Sequence, residues 1–178
     1  MRKQTILRFA SVVPILALNL NLSFADISTR IADFHSDERI ETMIIWEERA
    51  EAIDRYFSER SMPLEGYGMK MVQEAEKNDI DWRLLPAIAV RESSGGKFAC
   101  KHNPFGWDSC KTRFESLEDA IETVARNLGG NNPKTQKYYA TEDTKAKLYH
   151  YNGTVILRYP DQVLRIMARI GDSEADLD

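Results

Sequence analysis

The chain has 178 residues, 29% of them charged, with a formal net charge of −4 and two cysteines. That length suits one compact domain with an appendage. The acidic balance disfavours nucleic acid or an anionic surface as the main partner.

At the amino end, Arg2, Lys3 and Arg8 flank the start of an apolar run over 9–20, and Ser23 and Ala25 occupy the two small positions that a signal peptidase reads. Residues 1–25 therefore read as a secretory signal peptide. The run is short for a membrane span and is broken by Asn19 and Asn21. An uncleaved anchor is the alternative. Cleavage after Ala25 would remove three positive residues and no acid, moving the formal charge from −4 to −7. The expected location is periplasmic or secreted, with no stable membrane span after cleavage.

Residues 26–60 hold ten acids and five arginines. Within 37–60, Ile40, Met43, Ile44, Ala50, Ile53 and Phe57 recur at spacings of three and four, which predicts an amphipathic helix of about six turns. Its apolar stripe either packs on the following domain or docks a protein partner. Met62-Pro63, Gly66 and Gly68 break the helix and suggest a boundary, giving an acidic helical segment 26–62 and a domain 63–172.

Within that domain a short helix is expected at about 67–78. Asp79 or Asp81 would cap the next, "DWRLLPAIAVRES", with Pro86 near its amino end. Residues 93–115 are rich in Gly, Ser, Asn and Pro and read as a loop or small hairpin. Ser116, with Asp119 three residues on, opens a helix that stops at Gly129-Gly130. Helices over 142–151 and 160–170 follow, the second opening at Pro160, and the acidic tail 173–178 closes the chain.

Export alters the reading of the cysteines. In an oxidising compartment Cys100 and Cys110 are expected to pair and close the loop "KHNPFGWDS". A metal site fits poorly, because His102 is the only nearby histidine and this spacing matches no common zinc pattern. A thiol nucleophile fits less well still. The window 81–113 is locally positive, with six bases against Asp81, Glu92 and Asp108. Such a window either attracts an anionic substrate or is a solvated face.

The blocks "LLPAIAVRESSGGKF", "NPFGW", "FESLEDAIETVARNL", "YHYNG" and "YPDQVLRIM" together resemble the lysozyme-like superfamily of peptidoglycan-cleaving enzymes. They are most similar to bacterial N-acetylglucosaminidase domains of the mannosyl-glycoprotein endo-β-N-acetylglucosaminidase kind. The resemblance covers roughly residues 67–170 and rests on the order of the blocks: Glu92-Ser93, then Asn103 to Gly106, Phe114, and Ser116 to Ile121. Tyr151-Asn152-Gly153 instead resembles the Tyr-Asn-x-Gly element of soluble lytic transglycosylases, which belong to the same superfamily. The resemblance implies a mainly α, lysozyme-like domain with at most a minor β-hairpin, preceded here by the long amphipathic helix. It also implies peptidoglycan glycan strands as substrate.

Chemistry gives Glu92 a role beside the resemblance. Glycosidic cleavage needs a proton donor for the leaving oxygen, and a carboxyl in an apolar setting serves near neutral pH. A solvated helix-terminal glutamate, with or without a nearby Lys or Arg as partner, is the plainer reading. Tyr151 would orient Glu92 or steady the transition state. Ser93, Asn103, Phe105, Trp107, Tyr139 and Asn152 are expected to contact sugar, the rings by stacking and the polar groups by hydrogen bonding, while Phe114 and Tyr159 are assigned to the core. No second carboxylate stands out for a two-acid hydrolase. Asp108 lies inside the cysteine loop, and Glu115 and Glu118 flank the next cap. A single glutamate can suffice if the substrate's acetamido group or muramic 6-hydroxyl assists. Neither metal nor organic cofactor is implied. The leading expectation is an exported endo-β-N-acetylglucosaminidase. Lytic transglycosylase is the close alternative, and a non-catalytic glycan-binding accessory protein of an envelope machine is the third.

Overall fold

A computed structural model describes the backbone of residues 24–171 and the side chains of 38–171. The expected signal peptide lies outside the described residues except for Phe24 and Ala25, as does the acidic tail. Among the described residues the protein is mainly helical, and its only β pairing is an isolated bridge between Cys100 and Asn103. No helix among them is long and apolar enough to cross a membrane.

Helix α1 spans Phe24–Ser58, starting well before the expected residue 37. The reason is local: residues 24–36 contain no Pro or Gly to stop it. It passes through two compact units, one ending at Ile44 and one beginning at Ile45. In the first unit Ile40, Met43 and Ile44 are exposed. In the second, Ala50, Ile53, Tyr56 and Phe57 are buried in the core, so this half of the stripe packs in cis. The Asp54 carboxylate accepts the backbone N–H groups of Gly66 and Gly68, both at 2.9 Å, and pins the turn that follows. Gly68 is required there, since a Cβ would collide with the Ala50 carbonyl and the Asp54 side chain.

Helices α2 (Gly68–Lys77) and α3 (Leu84–Ser93) come next. Neither Asp79 nor Asp81 caps α3 by a side chain at the N-cap itself, which is Arg83. Asp81 instead accepts the Arg83 N–H at 2.9 Å and pairs with its guanidinium at 2.7 Å. Pro86 is the third residue of α3, where the missing N–H would have had no intrahelical partner. Leu84, Leu85, Ala87, Ile88 and Ala89 are all fully buried, so α3 is enclosed on every side. It packs against α2, against α4 (Leu117–Leu128) and most extensively against α7 (Tyr159–Gly171).

The cap of α4 matches the sequence expectation. Ser116 Oγ accepts the Asp119 N–H, and Asp119 accepts the Glu115 N–H in return. Two short helices follow, α5 (Gln136–Tyr139), which the pattern did not suggest, and α6 (Thr144–Leu148). The helix expected to run to residue 151 ends at Leu148 and widens into a π-type turn, Tyr149–Gly153.

Candidate active site

Glu92 sits in the last turn of α3, and the chain leaves that helix abruptly. Ser94, Gly95 and Gly96 are left-handed in succession, at φ +53°, +64° and +98°. Ser93 Oγ donates to the Pro104 carbonyl at 2.7 Å and accepts the Gly96 N–H at 3.0 Å, tying the helix end to the later loop. Asn103 closes that loop on itself: its Oδ1 accepts the Trp107 N–H at 3.0 Å and its Nδ2 donates to the Trp107 carbonyl at 2.8 Å.

These bonds correct three of the expected sugar contacts. Ser93 is 4% exposed, Asn103 1% and Phe105 0%, and none of them lines the cavity beside Glu92. Their polar groups are spent on the turn, and the Phe105 ring plugs the core. The Asn-Pro-Phe-Gly stretch is therefore scaffold on its side-chain face. The member that borders Glu92 is Gly106, at φ +63°, where a Cβ would stand 2.7 Å from Glu92 Oε2. Only a glycine lets the loop backbone approach the carboxylate so closely.

The cavity has a volume of about 460 Å³. Of the expected residues, Glu92, Trp107, Tyr139, Tyr151 and Asn152 converge on it. Asp108, Ser109, Thr112 and Thr135 also line it, a set that no helical or strand period could have singled out. Trp107 lies between two tyrosines, with ring centroids 5.6 Å from Tyr151 and 6.3 Å from Tyr139. Burial, then Tyr138, pushes the Tyr139 phenol up to about 12.

Glu92 Oε1 is buried without a hydrogen-bond partner. Among the described residues no cation forms an ion pair with this carboxylate. Tyr151 Oη donates to the Phe105 carbonyl at 2.7 Å. Burial, then the nearby Glu92 charge, raises its phenol well above the ordinary value, which keeps it a neutral donor. Its proton is committed to the loop, so Tyr151 holds the wall in place and does not donate to Glu92.

Tyr159 belongs to the core, as expected, yet it also faces the site. Its ring stacks on Tyr151 at 6.1 Å with planes 6° apart. Its phenol is raised by burial first and then by Tyr151 and Glu92, and its hydroxyl has no well-aligned partner of its own. The Tyr159 hydroxyl and the Glu92 carboxylate thus face one another inside the protein. Sequence reasoning missed this role because a tyrosine that opens an amphipathic helix looks like any other core residue.

The far wall is the loop closed by the Cys100–Cys110 disulfide, which is present as expected. Its tight turn Trp107–Cys110 keeps Asp108, Ser109 and Cys110 at φ +53° to +60°. Thr135 joins the lining from α5's entrance and donates to Asn127 Oδ1 at 2.6 Å. Buried Lys147 donates to the Leu128 and Tyr139 carbonyls, fastening α5 to the end of α4. His102 is exposed and away from the cavity, against the Phe114 carbonyl. No group of three or more His, Cys, Asp or Glu side chains among the described residues is arranged to hold a metal ion. Comparison with protein-family models, with curated proteins and with solved structures gives no match for this chain.

Proposed function

We propose that the protein is an exported enzyme that cleaves β-1,4 glycosidic bonds of peptidoglycan in a lysozyme-like domain, with Glu92 as general acid and an endo-β-N-acetylglucosaminidase specificity. One observation carries the reading. The carboxylate at the end of the central helix opens into an aromatic-walled cavity, with the Tyr159 hydroxyl as a buried polar neighbour and no cation beside it. Trp107, Tyr139 and Tyr151 offer faces for pyranose rings, and Asn152 offers an amide for hydroxyl or acetamido groups. The disulfide accords with an oxidising, periplasmic or secreted location.

A second reading, lytic transglycosylase, is favoured by one specific feature. Tyr151 and Asn152 line the cavity from a π-type turn near Glu92, and Tyr151-Asn152-Gly153 resembles the Tyr-Asn-x-Gly element of that class, although it lacks the residue between Asn and Gly. Mass analysis of products from purified sacculi separates the two. Glucosaminidase action leaves reducing N-acetylglucosamine ends, and transglycosylation leaves 1,6-anhydromuramic ends lighter by one water. Glu92→Gln is expected to lower turnover by about 10²–10⁴-fold with folding and sacculus binding intact. A variant that keeps more than about a tenth of the wild-type rate would remove Glu92 from the mechanism.

A further inference from the structure

Two of the residues lining the cavity are acids, Glu92 and Asp108. Gly106 brings them together. Its Cβ position lies 2.7 Å from Glu92 Oε2, and Asp108 follows two residues later, at most about 7 Å of chain away. Both carboxylates therefore border one cavity, and an inverting acid–base pair needs a spacing of roughly 6.5–9.5 Å, which leaves room for one water. Their surroundings differ. Glu92 Oε1 is enclosed, whereas Asp108 is exposed and its Oδ2 accepts the Thr112 hydroxyl at 3.1 Å. The left-handed turn and the disulfide two residues on hold Asp108 at the cavity rim.

We propose that Asp108 is the general base of the glycan-cleaving reaction, which makes the reaction an inverting hydrolysis. The proposal rests on the reading of Glu92 as the acid. In the step, the Glu92 carboxyl gives its proton to the glycosidic oxygen, the bond from the anomeric carbon to that oxygen breaks, and the leaving sugar departs as an alcohol. The Asp108 carboxylate takes a proton from a water whose oxygen bonds to the anomeric carbon from the opposite face. One water is consumed, and solvent returns the proton from Asp108 to Glu92. Thr112 is a positioning residue for Asp108.

The backbone at residue 108 makes the test clean. Asn and Gly both accept φ +53°, so Asp108→Asn and Asp108→Gly change the chemistry without straining the turn. The test uses the full disulfide-bonded chain on purified sacculi and on soluble glycan fragments cut from them. Wild type is expected to release the α-anomer first from the β-linked substrate, followed by NMR. Asp108→Asn should lose about 100-fold in kcat, with KM and sacculus binding changed by less than roughly threefold. Sodium azide should restore turnover to Asp108→Gly by forming the α-glycosyl azide. A β-anomer as first product, anhydromuramic ends, or an Asp108→Asn rate above about a tenth of wild type would overturn the assignment. If Glu92→Gln is inactive while Asp108→Asn is active, the base alone fails. If wild type cleaves no glycan, the reading of the site fails and the base with it.

Discussion

The two walls of the cavity are held by different physics. The Glu92 wall is the end of α3, a helix enclosed by apolar contacts with α2, α4 and α7. The wall from Gly106 to Thr112 is short, polar and left-handed at four residues, and buries little of its own surface. It is held by one disulfide, by the Asn103 and Ser93 hydrogen bonds, and by a single ring, Phe105, plugged into the core. A wall made by packing is placed by many weak contacts, whereas a wall made by a few strong links depends on each of them.

That difference can be broken at defined points. Phe105→Ala should have the largest effect on stability, about 3–5 kcal/mol, because it removes a fully buried ring and leaves a cavity. Urea unfolding of the folded variant measures it. A cost below about 1 kcal/mol would mean that the loop is held without its plug.

Cys100→Ser with Cys110→Ser should cost about 2–3 kcal/mol by the chain-entropy argument for a loop of this length, with a sequence separation of 10. The comparison of walls sharpens this expectation. Glycan turnover should fall while the helical far-UV signal is kept, since Trp107 and Asp108 lose their clamp and α3 does not. Equal loss of both would show that the loop and the helical core unfold as one.

The smallest effect concerns the entrance to α3. Burial alone would raise Asp81, but the hydrogen bonds and charge of Arg83 outweigh it and hold the carboxyl below its ordinary value. A carboxylate with a depressed value in the folded state adds stability above its unfolded value of about 3.9, and loses it as pH falls through the lower folded value. Asp81→Asn should therefore be less stable than wild type at pH 6, with the gap closing below about pH 4. Unfolding midpoints of both proteins across that range check it, and a gap that widens on acidification would reverse the sign.

Much of the helical frame was legible in the residues themselves. Periodicity and end signals located α2, α3, α4 and α7 to within a few residues. The Ser116–Asp119 cap formed as its spacing implied, and the two cysteines paired. Glu92 was legible as a candidate because a glutamate ending an apolar helix is conspicuous chemistry. These features depend on neighbours within a few positions along the chain, which is the range that period, capping and loop closure report. Tertiary structure alone decided which ring of Phe105-Gly106-Trp107 enters the core and which faces the cavity. It alone put Asp108 on the same cavity as Glu92, past a glycine in the left-handed region, and set the Tyr159 phenol near that carboxylate from a helix 67 residues further on. The physical reason is that a left-handed turn has no repeating pattern, and contacts between distant segments are chosen by how the core packs.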